Sequence, residues 1–145
     1  MRRMWLLVLL GACIDGPGRQ NWDVDASFRD FVAVAEPVLA QGCGNPSCHG
    51  TAERPLEIYS VHQHRLDDRD VYLDAPLTQE EQWLNFVRSC GFAFDLDNPA
   101  DCSLLRKPLD PEVGGSAHEG GIQYGDIENP AYQALLAWID GEEPQ

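Results

Sequence analysis

Two cysteines followed by a histidine are the residues of this chain best suited to hold a cofactor. Cys43 and Cys48 are separated by four residues, and His49 directly follows the second cysteine. Two thiols beside an imidazole are typical of covalent haem attachment, with thioether bonds to the porphyrin and the imidazole on the iron. The usual spacing between such cysteines is two residues, so the pattern departs from the common one. The sequence predicts one covalent haem c at Cys43 and Cys48, with His49 as an axial ligand.

Two other interpretations of these residues remain open. Cys43 and Cys48 could form a small disulfide, which needs no cofactor and suits an exported protein. The two cysteines and His49 could also bind zinc, although zinc sites usually space their ligands differently and need a fourth ligand. The disulfide interpretation predicts a colourless protein.

The second axial ligand is expected to be another histidine. Both methionines lie within the first twelve residues, so a domain without that segment has no thioether sulfur, the ligand that raises the haem potential. His118 is the first candidate because it lies in the glycine-rich segment 114–121, where the backbone can bend close to a porphyrin. His62 and His64, two positions apart on a segment predicted to be extended, are the alternatives.

The N-terminal residues have the layout of an export signal. Two arginines precede an apolar run at residues 5–10, which is far shorter than the ~20 residues of a membrane-spanning helix. Residues 10–13, Leu-Gly-Ala-Cys, resemble the lipobox of bacterial lipoproteins. The resemblance implies a signal peptide at 1–12, a lipid on Cys13 and a flexible tether at 13–25. The alternative is ordinary signal cleavage, with the cysteine incidental.

Sorting signals and charge restrict the expected location and partners. Ile14 follows Cys13 where a retention aspartate would often stand in the lipoproteins that this chain resembles, which favours the outer membrane, facing the periplasm. The net charge of −14 repels nucleic acid and offers no polybasic patch for anionic lipid. We expect a redox partner with a basic docking surface, and membrane contact through the lipid anchor only.

The remaining cysteines, Cys90 and Cys102, are predicted to form a disulfide. An oxidising compartment favours pairing of thiols that are not otherwise used. The bridge would close a loop of about a dozen residues, worth roughly 3 kcal/mol in the chain-entropy model.

Helical periodicity predicts a small all-α domain with long loops over residues 26–145. The first helix should begin near Asp25 or Ser27 and run to about Gln41. Pro37 lies inside this pattern and should kink or split the helix, since proline lacks the backbone N–H and clashes with the preceding turn.

Two further helices have clear end signals. One runs from about Leu77 to Cys90, and Thr78 with Glu81 three residues later forms a capping box. The last helix has Asn129 as its N-cap, a proline at its first position and Gly141 as its C-terminal stop.

The segments between these helices carry charged residues. A short helical turn opened by Asn98 and Pro99 ends in Arg106 and Lys107, which are expected to pair with haem propionates or to be plain surface charge. The charged stretch from Arg65 to Asp70 is expected to be a solvated face.

Five short segments occur in a characteristic order. They are Glu-Pro-Val-Leu at 36–39, Cys-His-Gly at 48–50, Ser-Leu-Leu-Arg-Lys-Pro at 103–108, His-Glu-Gly-Gly at 118–121 and Leu-Leu-Ala-Trp-Ile-Asp-Gly at 135–141. The set resembles small c-type cytochromes, and more closely the extracytoplasmic cytochrome c-like domains of planctomycete and myxobacterial lipoproteins. The similarity to which these segments belong extends over most of residues 28–143. The resemblance implies a cytochrome c-like fold and a non-enzymatic monohaem electron carrier. The alternatives are a peroxidase-like haem enzyme and a haem-free, disulfide-stabilised interaction module.

Overall fold

The computed structural model describes residues 24–93 and 98–141, so the predicted signal peptide, the Cys13 lipid site and nearly all of the tether lie outside the described residues. Within those ranges the chain forms helices, turns and two isolated β-bridges, with no strand, which confirms the all-α prediction. No helix in the same ranges is long and apolar enough to cross a membrane. The α-helices are α1 (Val24–Asp30), α2 (Glu36–Gly42), α3 (Gln79–Phe92), α4 (Ser103–Arg106) and α5 (Pro130–Asp140).

The first helix is interrupted as Pro37 predicts, but by a change of helix type. A π-helical segment, Phe31–Ala35, lies between α1 and α2, and the residues at both junctions keep right-handed helical backbone angles. In this segment Glu36 donates its backbone N–H to the carbonyl of Phe31, five residues earlier. Pro37 has no backbone N–H to donate to the carbonyl of Ala33, and its ring crowds that carbonyl. The wider π-helical turn relieves both problems.

The ends of α3 and α5 confirm the sequence signals. The Thr78 hydroxyl accepts the backbone N–H of Glu81 at 3.2 Å, and the Glu81 carboxylate accepts the N–H of Thr78 at 2.8 Å, which completes the capping box. At α5 the Asn129 side chain accepts the N–H of Ala131 at 2.9 Å. Gly141 follows α5 with a φ of 75°, a left-handed angle that glycine adopts without strain.

Aromatic side chains join the long helices into one core. Phe31 packs edge-to-face on Phe86 of α3 and on Trp138 of α5, with ring centroids 5.5 Å and 5.0 Å apart. Phe28 of α1 packs in the same manner on Trp83 of α3, at 5.2 Å. A cavity lies at the edge of this core, between the loops that follow α2 and α4, and the core residues Leu56 and Leu104 form part of its wall.

Arg65 corrects the prediction of a solvated charged face. Its side chain is buried, and its guanidinium makes two hydrogen bonds of 2.9 Å to the buried carboxylate of Glu81. It also donates to the backbone carbonyls of Ala75 and Pro76, at 2.8 and 3.0 Å. A buried carboxylate requires a buried counter-charge, and the non-helical loop supplies carbonyls that need donors. The rest of the 65–70 stretch is exposed or partly exposed, as predicted.

Candidate cofactor site

The four residues between Cys43 and Cys48 form a compact turn. The Asn45 side chain accepts hydrogen bonds from the backbone N–H and the hydroxyl of Ser47, at 2.9 and 2.7 Å. The turn is closed at its base, because the N–H of His49 donates to the carbonyl of Cys43 at 3.1 Å. The longer spacing is therefore taken up inside a hydrogen-bonded loop.

Gly50 is required by the way this turn folds against itself. A Cβ atom at Gly50 would lie 2.1 Å from the carbonyl oxygen of Gly44 and 2.9 Å from the carbonyl carbon of Asn45. The backbone N–H of Gly50 donates to the Asn45 carbonyl at 2.9 Å. No side chain can occupy this position without moving the backbone that carries both cysteines.

His49 is held in the form that a metal ion requires. Its Nδ1 donates to the backbone carbonyl of Leu56 at 2.8 Å, which places the ring proton on Nδ1 and leaves Nε2 with a free lone pair. Burial lowers the pKa of His49, although the Leu56 hydrogen bond opposes this, and the charges of His118, Arg54 and Lys107 lower it further. The neutral imidazole, which is the ligand form, is therefore favoured.

A cavity of about 540 Å³ lies beside this turn, and Cys43, Cys48, His49 and His118 all line it. Its volume is within the range of small-molecule and cofactor pockets. Its apolar walls come from three separate parts of the chain and include Leu56, Phe92, Leu104 and Pro108. The structure thus brings both thiols and both imidazoles of the predicted cofactor site to one cavity.

His118 faces His49 within this cavity. The ring centroids are 6.0 Å apart and the ring planes are inclined by 6°. His118 Nδ1 makes a long contact of 3.4 Å to the carbonyl of Gly121, and within the described part of the chain its Nε2 has no hydrogen-bond partner. A Cβ atom at Gly120 would lie 2.7 Å from Cε1 of His118, so glycine lets the ring lie against the backbone. The ligand role of His118 stays a prediction.

The two alternative histidines lie elsewhere. His62 is exposed and pairs with Asp74 at 3.1 Å, and His64 is hydrogen-bonded to the Glu57 carboxylate at 2.8 Å. The His64 ring also stacks on Tyr59, with centroids 4.9 Å apart. Neither histidine lines the cavity.

The cations at the cavity differ in part from the expected pair. Lys107 lines the cavity, whereas Arg106 does not and instead donates to the carbonyl of Gly114 at 3.3 Å. Arg54, which the sequence pattern does not single out, also lines the cavity and lies 3.7 Å from Glu119. A single arginine in a polar loop belongs to no hydrophobic or helical pattern, so the sequence gives little reason to select it. The feature that could have identified Arg54 is its closeness to His49 in the chain.

The thiols of Cys43 and Cys48 are both free, so the structure does not contain the small disulfide of the haem-free interpretation. Burial, with a smaller effect of Cys48, raises the pKa of Cys43 to about 11, which keeps this thiol protonated at neutral pH. Among the described residues, no three His, Cys, Asp or Glu side chains are grouped to hold a metal ion, so the zinc interpretation gains no support.

Cys90 and Cys102 both belong to the buried core. Cys90 takes part in a disulfide, but the described residues do not show which sulfur it meets. The bridge to Cys102 stays a prediction.

Comparison with known proteins finds no family model, curated protein or solved structure that matches this chain. The residues of the cavity are therefore the guide to function. Two free thiols, a neutral imidazole with an open Nε2, a second imidazole opposite and two nearby cations are a donor set that fits a covalently bound haem.

Proposed function

We propose that this chain is a monohaem c-type cytochrome of the cell envelope, an electron carrier and not an enzyme. The observation that carries the proposal is that His49 and His118 meet at a cavity that Cys43 and Cys48 also line. His118 is far from the other three in the sequence, so its convergence with them is independent of the Cys-Cys-His pattern. Bound haem would supply one-electron redox chemistry.

Six residues of the cavity have roles in this proposal. Cys43 and Cys48 would hold the porphyrin through thioether bonds, and His49 and His118 would bind the iron. Lys107 and Arg54 would pair with the propionates as charged donors. Two imidazole ligands and no thioether sulfur predict a lower potential than that of His/Met cytochromes.

The location and partner in this proposal come from the sequence alone. A lipid on Cys13 would hold the domain at the outer membrane, facing the periplasm, through a short tether. The net charge of −14 suits a redox partner with a basic docking surface and disfavours nucleic acid.

Covalent attachment tests the proposal most directly. The full chain would be produced in a periplasm that contains haem-maturation machinery, and haem would be measured after separation on a denaturing gel. We expect haem to stay with the chain, and a Cys43→Ala, Cys48→Ala double variant to lose it. A colourless wild-type chain despite active maturation would refute the proposal and favour the haem-free interaction module.

The spectrum of the His118→Ala variant separates an electron carrier from a peroxidase-like enzyme. If His118 binds the iron, its loss should convert a low-spin spectrum to a high-spin one. His62→Ala is the matched control, because His62 is exposed and does not line the cavity. A high-spin wild-type spectrum that is unchanged in His118→Ala would indicate an open sixth position and support the enzyme alternative.

A further inference from the structure

Among the described residues, the backbone hydrogen bonds that attach the segment carrying His118 to the rest of the molecule lie at its two ends. We call residues 117–122 the distal flap. Ser116 and Gln123, which flank it, donate backbone hydrogen bonds of 2.8 Å to carbonyls in the segment 106–108. The hydrogen bonds of the flap itself stay within the flap or go to Gln123. Five of its six residues are exposed, and His118 is half-buried.

One ion pair joins the distal flap to the opposite wall of the cavity. Arg54 Nη1 lies 3.7 Å from Glu119 Oε2, with side-chain exposures of 46% and 93%. Within the described ranges, this pair is the one hydrogen bond or ion pair from the flap to residues beyond the 106–123 segment. Ion pairs this exposed are weak and are screened by salt.

His49 is held much more firmly. Its ring is hydrogen-bonded to the buried Leu56, its backbone carbonyl accepts the N–H of Ile58 at 2.8 Å, and its N–H bonds to Cys43. The two imidazoles that face each other across the cavity therefore differ in how far they can move. Segments with few contacts to the rest of the fold open at a lower free-energy cost.

We propose that the distal flap opens about Ser116 and Gln123, and that His118 exchanges with a small external ligand. The inference rests on the proposed haem site and deepens it. In the exchange, the bond from His118 Nε2 to iron breaks and a bond from the ligand's donor atom forms, and no electron is transferred. Small donors such as cyanide and imidazole would fit, because the ligand has only to take the coordination position that His118 leaves.

Ligand-binding kinetics test this proposal. The haem-loaded full chain, in its ferric form, would be mixed with increasing cyanide, and the Soret shift would be followed in time. We expect the rate to level off at high cyanide, because flap opening then limits it. The same limiting rate is expected with imidazole as the ligand, since opening precedes the binding of either one.

The Glu119→Gln variant tests the ion pair. It should raise the limiting rate about 1.4- to 5-fold, the range that an exposed ion pair supports, and added salt should do the same to the wild type. Glu112→Gln is the matched control and should leave the limiting rate unchanged. Glu112 is an exposed acidic residue outside the flap, and it does not line the cavity. In the loaded protein, hydrogen exchange should be faster at 117–122 than at 44–50.

Three results would overturn the proposal: no displacement of His118 by cyanide, a rate that rises linearly without a limit, or equal limiting rates in Glu119→Gln and the wild type. A chain that carries no covalent haem is a different result, because it refutes the proposed function itself and this inference with it.

Discussion

Replacement of Gly50 by alanine should disrupt the turn that carries both thiols and His49. The new Cβ would lie 2.1 Å from the carbonyl oxygen of Gly44, whereas ordinary contacts begin near 3.4 Å. The atoms it meets belong to the backbone of Gly44 and Asn45, so no side-chain rotation can relieve the overlap. The backbone itself must move.

Two effects contribute to the expected loss of folding free energy. Overpacking of a tight site costs about 1–3 kcal/mol, and the 2.9 Å hydrogen bond from Gly50 to the Asn45 carbonyl contributes about 1 kcal/mol more. A destabilisation of about 2–4 kcal/mol in a domain of this size corresponds to a fall in Tm of about 8–16 °C. The displaced turn should also lower the fraction of chains that acquire haem.

Thermal unfolding followed by circular dichroism measures this effect, and Gly91→Ala is the matched control. Gly91 lies inside α3, is exposed, and has no atom within 4 Å of the place that a Cβ would occupy. The same substitution there should stabilise the protein by about 0.5–1 kcal/mol, because alanine favours helix more than glycine does. The two alanine variants should therefore shift Tm in opposite directions.

A Gly50→Ala protein with the Tm and haem content of the wild type would refute this reasoning. It would mean that the Cys43–Gly50 turn adopts a looser conformation than the one with Gly50 packed against Gly44.

Two further changes test the turn and the buried ion pair. Asn45→Ala should lower the covalent haem content, measured on denaturing gels, because Ser47 loses both of its hydrogen bonds to Asn45. Ser47→Ala keeps the hydrogen bond from the backbone N–H and should lower the haem content less. Equal haem contents in the two variants would contradict this prediction. Burial raises the pKa of Glu81, but hydrogen bonds, led by that of Arg65, outweigh it and lower the pKa to about 2. Because the folded-state pKa is the lower one, stability on the order of 3 kcal/mol is present at neutral pH and is lost as the pH falls from about 5 to 2. The free energy of unfolding in urea should fall with pH in this range for the wild type. It should depend less on pH in a Glu81→Gln variant, which should also be less stable at neutral pH. The same pH dependence in both proteins would contradict the prediction.

Features that depend on nearby residues could be predicted from the sequence. Asn129 and Gly141 mark the ends of α5 because a cap and a left-handed stop act within one helical turn. Pro37 predicts an interruption for the same local reason. The form of that interruption could not be predicted from the local pattern, because a kink, a break and a wider π-helical turn each accommodate the missing N–H of Pro37.

Features that depend on distant residues could not be predicted. The burial of Arg65 requires Glu81 and the carbonyls of the 75–76 loop, which meet only in the folded chain. The position of Arg54 on the cavity wall likewise results from contacts that form only in the folded chain. The glycines around His118 single it out in the sequence, but its position opposite His49 results from the packing of two loops.

The four-residue spacing between the cysteines lengthens the turn but does not move its two ends apart. Four extended residues would span roughly 13 Å, yet the carbonyl of Cys43 lies 3.1 Å from the N–H nitrogen of His49. The additional length is absorbed by exposed residues between the cysteines, which Asn45 and Ser47 hold in place. The longer linker is therefore compatible with placing both thiols and the imidazole at one cavity. Ser47 of the exposed loop also lines this cavity, so under the proposed function the loop would border the porphyrin and would be the part that a maturation enzyme must accommodate.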